Sequence, residues 1–126
     1  MIIGLGTDLI AVARIAGVHG RQGARFLERV YTPAEIAYCL AATAPGERLA
    51  ARWAAKEACM KALGTGWALG VTFTQIALLP GPDRGAPHLE LTGEALAVAG
   101  RRGATHWHCS VSHSDGMAIA VCILEG

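Results

Sequence analysis

Three charged side chains, Asp8, Glu57 and Lys61, have the chemistry to hold a metal ion or a phosphate group. Asp8 lies among apolar residues, so we expect that it either caps the N-terminus of a following helix or binds a metal ion. Glu57 and Lys61 are spaced to lie one turn apart on a helix. They form either an ordinary surface ion pair or part of a site in which Lys61 meets a phosphate.

The segment Gly64-Thr65-Gly66 follows these residues and predicts the end of a helix, because glycine readily adopts the left-handed conformation of a C-terminal cap. Phosphate-binding loops normally precede a helix, whose N-terminal N–H groups and dipole attract the anion. A phosphate at this segment would therefore be held by Lys61, by a metal ion or by loop amides, without help from the helix dipole.

Polar side chains alternate along a predicted strand near the C-terminus. They fall on one face of that strand and comprise His106, His108, Ser110 and Ser112. This face is either exposed to solvent or a binding surface for a polyanion. The two histidines also suggest a transition metal, but no third soft ligand accompanies them, so we do not expect zinc.

A positive patch is predicted in the first third of the chain. Arg14, Arg21 and Arg25 would form a single line if residues 9–30 were one helix, with Arg29 close behind. Glycines at positions 17, 20 and 23 argue against that continuity. The patch is either a solvated helix face or a docking surface for an acidic partner.

A long helix predicted over residues 49–66 organises the chain. Its residues are mostly strong helix formers, and glycines end it. Small side chains gather on one side, where they would let the helix pack closely against a sheet, namely Ala51, Ala54, Ala55, Ala58 and Ala62. A cationic row on another side is expected to comprise Arg48, Arg52 and Lys56.

Shorter elements surround this helix. Residues 2–10 predict a first strand that carries Asp8 near its end. Thr32, Pro33 and Glu35 predict a helix that begins with a capping box and runs to about Leu40. Residues 44–47 predict the turn into the long helix.

The second half of the chain predicts two hairpins. Residues 71–79 and 88–91 would pair across the proline-rich loop 80–87, and Asp115-Gly116 would join the last two strands. Between the hairpins, Thr92 is expected to cap a short helix over residues 94–100.

The composition predicts one compact domain spanning residues 1–126, with 52% hydrophobic residues and a net charge of +1. That charge provides no general attraction to nucleic acid or to an anionic membrane. We expect neither a targeting segment nor a membrane-spanning helix, since no apolar run approaches ~18 residues. The cysteines lack CxxC spacing and predict buried, reduced thiols in a cytoplasmic protein: Cys39, Cys59, Cys109 and Cys122.

Four segments resemble, in order and spacing, the holo-[acyl-carrier-protein] synthase group of 4′-phosphopantetheinyl transferases. They are GLGTDLIAVARI at 4–15, FLERVYTPAE at 26–35, ARWAAKEACMKALGTG at 51–66 and HCSVSHSDGMAIAV at 108–121. The third segment is the most specific. Trp53 replaces a phenylalanine frequent in the family, and the loop 80–87 is slightly long and rich in proline.

The resemblance implies an α+β fold in which a mostly antiparallel sheet packs against the long central helix. It implies transfer of 4′-phosphopantetheine from coenzyme A to a serine of apo acyl carrier protein, with release of adenosine 3′,5′-bisphosphate. Asp8 and Glu57 would then bind Mg²⁺, and Lys61 would contact a phosphate oxygen. Glu57 could also help to deprotonate the attacking serine.

The resemblance also implies binding surfaces and an assembly. Residues expected to contact coenzyme A, mainly at its nucleotide end, are Arg52, Lys61, Gly64, Thr65, Gly66, His108, Ser110, Ser112 and His113. Arg14, Arg21 and Arg25 would bind the acidic recognition helix of the carrier protein. Short bacterial members are homotrimers with active sites between subunits, and we expect the same here. The alternatives are a Mg²⁺-dependent nucleotide pyrophosphatase, which would use water in place of the serine, and a catalytically silent coenzyme A-binding module.

Overall fold

Helices and strands are interspersed along the chain. The computed structural model describes residues 1–126, apart from the side chain of Arg84. The elements are β1 Ile2–Ala11, α1 Val12–Gln22, α2 Ala24–Val30, α3 Pro33–Leu40, α4 Gly46–Leu63, β2 Ile76–Leu79, β3 His88–Leu91, α5 Gly93–Arg101, β4 His106–Ser114 and β5 Met117–Glu125. This content confirms the predicted α+β class.

The central helix α4 packs against a three-stranded antiparallel sheet with strand order β1-β5-β4. The predicted alanine face is confirmed, because all five alanines are buried. Glycines on β1 allow the helix to approach closely: a Cβ atom on Gly4 or Gly6 would overlap the carbonyl oxygen of Ala62 or Ala58. The sheet and the helix are therefore in contact through their backbones.

Only the N-terminal end of α4 differs from the prediction. The helix begins at Gly46 rather than Leu49, because Pro45 occupies the N-cap position with a φ of −74°. Gly46 and Glu47 therefore belong to the helix and not to the preceding turn. At the other end Gly64 adopts the expected left-handed conformation, with a φ of 78°.

A buried ion pair ties α3 and α4 to the β2 region. Lys56 Nζ lies 2.6 Å from Glu35 Oε1, and neither side chain is exposed. Lys56 also donates to the carbonyl oxygens of Phe73 and Ile76, and Glu35 accepts from the Leu78 amide. The prediction that Lys56 joins a cationic row is therefore wrong, since core oxygen atoms satisfy its ammonium group. Glu35 also completes the predicted capping box.

The segment after β1 is not one helix. Gly23, with a φ of 58°, separates α1 from α2. Arg14 and Arg21 lie on α1, whereas Arg25 lies on α2, so the three do not form a single helical line. All three side chains remain exposed.

The two predicted hairpins are present. β2 pairs with β3 and β4 pairs with β5, the latter through Asp115 and Gly116, both of which have positive φ. The strand predicted over residues 71–79 is shorter than expected, because Phe73–Gln75 form a 3₁₀ turn.

At the start of α5, Thr92 occupies the N-cap position but makes no side-chain capping bond. The Gln75 side chain instead accepts from the Ala95 amide at 3.1 Å.

The cysteines are free; Cys39, Cys59 and Cys122 are buried as predicted, and Cys109 is half-buried. None of the described helices combines the length and the apolar character needed to cross a membrane.

Candidate active site

Asp8 lies within β1 and faces α4. It does not cap a helix, because Ala11 is the N-cap residue of α1. The N-cap interpretation is therefore wrong. Asp8 Oδ1 lies 3.3 Å from Lys61 Nζ, whereas Oδ2 is buried and has no hydrogen-bond partner among the described residues. An unsatisfied buried carboxylate oxygen is costly, and a bound cation would satisfy it.

Lys61 pairs with β1 rather than with its neighbour on the helix. Its ammonium group donates to the Thr7 carbonyl oxygen at 2.9 Å and contacts Asp8. The surface ion pair with Glu57 that the spacing allowed does not form in the described part of the chain. Because the Lys61 side chain is 54% exposed, it can still reach an anion from solvent.

Glu57 is half-buried close to the same two residues. Burial raises the pKa of Glu57, and the negative charge of Asp8 raises it further, whereas Lys61 and the nearby Trp67 lower it. We call Asp8, Glu57 and Lys61 the Asp8 cluster. A cation bound between the two carboxylates would offset the repulsion that Glu57 meets from Asp8.

The donor set of the Asp8 cluster fits Mg²⁺. The structure contains no group of three or more histidine, cysteine or acidic side chains placed to hold a metal, considering the residues it describes. Mg²⁺ commonly takes only one or two protein carboxylates and keeps several waters or substrate oxygens.

The glycine turn after α4 lies next to an arginine that the sequence analysis missed. Arg102 donates to the carbonyl oxygens of Ala62 and Ile3, at 2.7 and 2.9 Å. It therefore satisfies a free C-terminal carbonyl of α4 and joins this helix end to β1. Gly64 and Gly66 both have positive φ. Glycine adopts this conformation readily because it has no side chain, and the turn therefore carries no side chain at either position.

A large cavity lies on another side of α4. It has a volume of about 970 Å³ and is bounded by α3, α4, β4 and the loop after β2. Its polar lining comprises Tyr38, Glu47, Arg48, Arg52 and His113, and we call it the arginine cavity. Arg52 is buried and its Nε atom has no partner among the described residues.

The predicted nucleotide residues of β4 divide between the two faces of the sheet. His113 lines the arginine cavity and lies 2.7 Å from Glu47. His108, Ser110 and Ser112 are exposed on the opposite face, away from α4, in agreement with the predicted alternation.

The Asp8 cluster and the arginine cavity are separate. Arg52 and Glu57 point about 140° apart around α4, as their spacing on a helix requires. A single chain thus brings together the predicted metal and phosphate residues in one place, and Arg52 with His113 in another.

Comparisons with known proteins identify the family to which this chain is similar. The family model described as the 4′-phosphopantetheinyl transferase superfamily matches residues 4–122. A holo-[acyl-carrier-protein] synthase of Koribacter versatilis is 48% identical, over 99% of each chain. One of Solidesulfovibrio magneticus is 49% identical, over 100% of each chain.

Solved structures give the same result. A holo-[acyl-carrier-protein] synthase of Neisseria meningitidis has a TM-score of 0.88 and 33% identity, over 100% of each chain. The Helicobacter pylori protein of that name, in complex with coenzyme A, has a TM-score of 0.83 and 32% identity, over 96% of this chain and 99% of that one. The match along the sequence and the agreement in fold together place this chain in the 4′-phosphopantetheinyl transferase superfamily.

Proposed function

We propose that this chain transfers 4′-phosphopantetheine from coenzyme A to a serine of apo acyl carrier protein. The observation that carries the proposal is the buried, unpartnered Asp8 Oδ2 beside Glu57 and Lys61, in a chain whose full-length relatives are named holo-[acyl-carrier-protein] synthases. Coenzyme A as co-substrate is supported by the solved complexes of similar proteins with coenzyme A.

The reaction breaks the phosphoanhydride bond of the coenzyme A pyrophosphate and forms a phosphoester bond to the serine. The serine hydroxyl oxygen attacks the phosphorus that carries pantetheine, and the bond from that phosphorus to the bridging oxygen breaks. Adenosine 3′,5′-bisphosphate leaves, and the serine loses its proton. Negative charge on the phosphate oxygens must be neutralised while this happens.

Asp8 and Glu57 would hold the Mg²⁺. When bound, the ion would supply positive charge against the pyrophosphate and polarise a phosphoryl oxygen. Lys61, fixed by Asp8 and the Thr7 carbonyl, provides a further positive charge to a phosphate oxygen. Glu57 is also the candidate acceptor of the serine proton, directly or through a metal-bound water.

The nucleotide end of coenzyme A binds in the arginine cavity, where Arg52 and His113 are available to its phosphate groups. The turn Gly64-Thr65-Gly66 borders the pyrophosphate. Ser110, Ser112 and His108 provide polar contacts from the exposed sheet face of another subunit.

The active unit is a homotrimer whose sites lie between subunits. This is supported by the separation of the Asp8 cluster from the arginine cavity within one chain. It is also supported by apolar side chains on the outer face of the sheet, where Leu5 and Leu9 are 64% and 60% exposed. Such side chains are costly in water and are stabilised by burial in an interface.

The carrier protein docks on the exposed arginines Arg14, Arg21 and Arg25, whose charge complements an acidic helix. Residues 1–126 act as one domain, because elements from both ends of the chain pack on α4. We infer a cytoplasmic location from the free cysteines.

The test is the intact mass of an apo acyl carrier protein after incubation with this protein and coenzyme A, with and without Mg²⁺. A gain of one phosphopantetheine group only when the metal is present is the expected result. Breakdown of coenzyme A without modification of the carrier would instead identify a pyrophosphatase. Binding of coenzyme A without either reaction would identify a silent module.

A further inference from the structure

Tyr38 contacts two arginines of the arginine cavity. The Arg48 Cζ atom lies 4.1 Å from the centroid of the Tyr38 ring, and the Arg52 Cζ atom lies 4.4 Å from it. Both distances are within the range of a cation–π interaction. The two arginines are one turn apart on α4, and the tyrosine lies on α3. The ring therefore contacts both guanidinium groups between the two helices.

Neither guanidinium group has a carboxylate partner among the described residues. Glu47, the acidic residue that lines the cavity, pairs with His113 at 2.7 Å instead. Arg48 donates to the Tyr38 carbonyl oxygen at 2.6 Å, while the buried Arg52 Nε donates to no acceptor in the described structure. Two positive charges therefore face one cavity beside an aromatic ring, and the carboxylate in that cavity pairs with His113 rather than with either arginine.

This arrangement is suited to an anion that carries two charges. Guanidinium groups are planar, retain their charge and bind phosphate through two parallel hydrogen bonds. A phosphate monoester carries about −1.5 to −2 charges near neutral pH, whereas each phosphate of a pyrophosphate diester carries about one. The charge of two adjacent arginines thus matches the monoester better.

We propose that Tyr38 is a positioning residue that holds Arg48 and Arg52 in the orientation that binds a phosphate monoester of the nucleotide. The inference rests on the proposed function, since it takes coenzyme A as the nucleotide, and it adds Arg48 and Tyr38 to the residues expected there. The negative face of the ring reduces the repulsion between the two cations and restricts their rotamers before the ligand arrives.

The ring, rather than the hydroxyl group, carries this role. The Tyr38 hydroxyl makes no hydrogen bond within the described residues, whereas its backbone carbonyl accepts from Arg48. Tyr38→Phe keeps the ring and the carbonyl. Tyr38→Leu keeps the carbonyl but removes the aromatic face, so this pair of variants isolates the cation–π contribution.

The experiment measures, by calorimetry, the binding of coenzyme A and of dephospho-coenzyme A, which lacks the phosphate monoester, to the full-length protein. Tyr38→Leu should weaken coenzyme A binding about tenfold and leave dephospho-coenzyme A binding nearly unchanged. Tyr38→Phe should bind both as the wild type does. Leu40→Ala, an exposed change on the same helix, serves as the control.

Steady-state kinetics provide a second measurement. Tyr38→Leu should raise the KM for coenzyme A, with little change in kcat at saturating coenzyme A, because the Asp8 cluster is on another side of α4. A purely structural defect would lower kcat, or would weaken the binding of both ligands equally.

Equal weakening of both ligands, unchanged coenzyme A binding in Tyr38→Leu, or a loss in Tyr38→Phe as large as in Tyr38→Leu would each overturn the inference. If Tyr38→Leu does not fold, Arg48→Gln must reduce the preference for coenzyme A over dephospho-coenzyme A about tenfold. An unchanged preference in that variant would be equally decisive against the inference. A wild-type protein that neither binds coenzyme A nor transfers its pantetheine would instead refute the proposed function.

Discussion

Asp8 and Glu57 lie on different elements and approach each other only because β1 and α4 touch through their backbones. The glycines on β1 that permit this contact are Gly4 and Gly6, both of which face α4. The two carboxylates then share a site whose positive charge comes from Lys61. Two carboxylates face one ammonium group, so the ionised cluster attracts a further cation.

Removing one carboxylate should abolish the response to the metal. We predict that Asp8→Asn and Glu57→Gln each lose both the Mg²⁺-dependent turnover and the rise in Tm on addition of Mg²⁺ alone. The fold should persist, because the metal-free protein gains nothing from their mutual repulsion. Glu90→Gln, an exposed change on β3, is the matched control. A normal metal response in Asp8→Asn would exclude its role as a ligand.

The raised pKa of Glu57 predicts a pH dependence of stability in the metal-free protein. Its pKa is higher in the folded than in the unfolded state, so its ionised form destabilises the fold at neutral pH, and this effect disappears as the pH falls toward the ordinary carboxyl range. Glu57→Gln should therefore be more stable than the wild type at neutral pH, with a difference that shrinks on acidification. Urea denaturation at several pH values measures this. A difference independent of pH would contradict the assignment.

At the scale of elements, the buried pair Glu35–Lys56 decides how α3 and β2 sit on α4. Burial lowers the pKa of Lys56, and the neighbouring Glu35 opposes this shift. The ammonium group has oxygen acceptors from three segments, which explains how a charge is tolerated without solvent contact.

Breaking this pair should cost far more than breaking a surface pair. Lys56→Met leaves Glu35 buried without its counterion and should lower the free energy of unfolding by about 3 to 5 kcal/mol. Adding Glu35→Gln should recover part of that loss. The exposed pair Arg101–Glu94 is the control, and Arg101→Met should cost less than about 1 kcal/mol. Urea denaturation of the single and double variants checks both expectations. Equal losses for the two pairs would show that breaking the buried pair costs no more than breaking the exposed one.

At the scale of the whole molecule, we propose that a second chain completes the active site. The Asp8 cluster and the arginine cavity lie on different sides of α4, and the outer sheet face carries exposed apolar residues such as Leu9 and Ile119. Burial of these side chains would favour assembly through that face, and the proposal is that the cluster of one subunit then meets the cavity of the next.

Mixing two defective variants tests this assembly. Asp8→Asn subunits have an intact arginine cavity, and Arg52→Ala subunits have an intact Asp8 cluster. If sites form between subunits, equal mixing after dissociation should restore about a quarter of wild-type activity at low coenzyme A, since random assembly pairs two intact halves in that proportion. Leu9→Glu in both variants should prevent this recovery by blocking assembly, which light scattering would show. No recovery in mixtures that do assemble as trimers would place the whole site in one chain.

The sequence by itself determined the features that depend on neighbouring residues. The alanine face of α4, its glycine cap, the capping box at Thr32 and Glu35, and the Asp115-Gly116 hairpin all follow from contacts within a few residues. The acidic residues Asp8 and Glu57 could also be chosen as candidate site residues from the sequence, because each lies in a short segment that resembles a family motif.

Only the tertiary structure decided which distant side chains meet. Lys61 could pair with Glu57 on its own helix, but close packing on β1 brings Asp8 and the Thr7 carbonyl nearer. Lys56 resembles its neighbours Arg48 and Arg52 in sequence, yet the rotation of α4 buries it against Glu35. These outcomes depend on how helices and strands pack, and helical spacing specifies the direction of a side chain but not what lies opposite it.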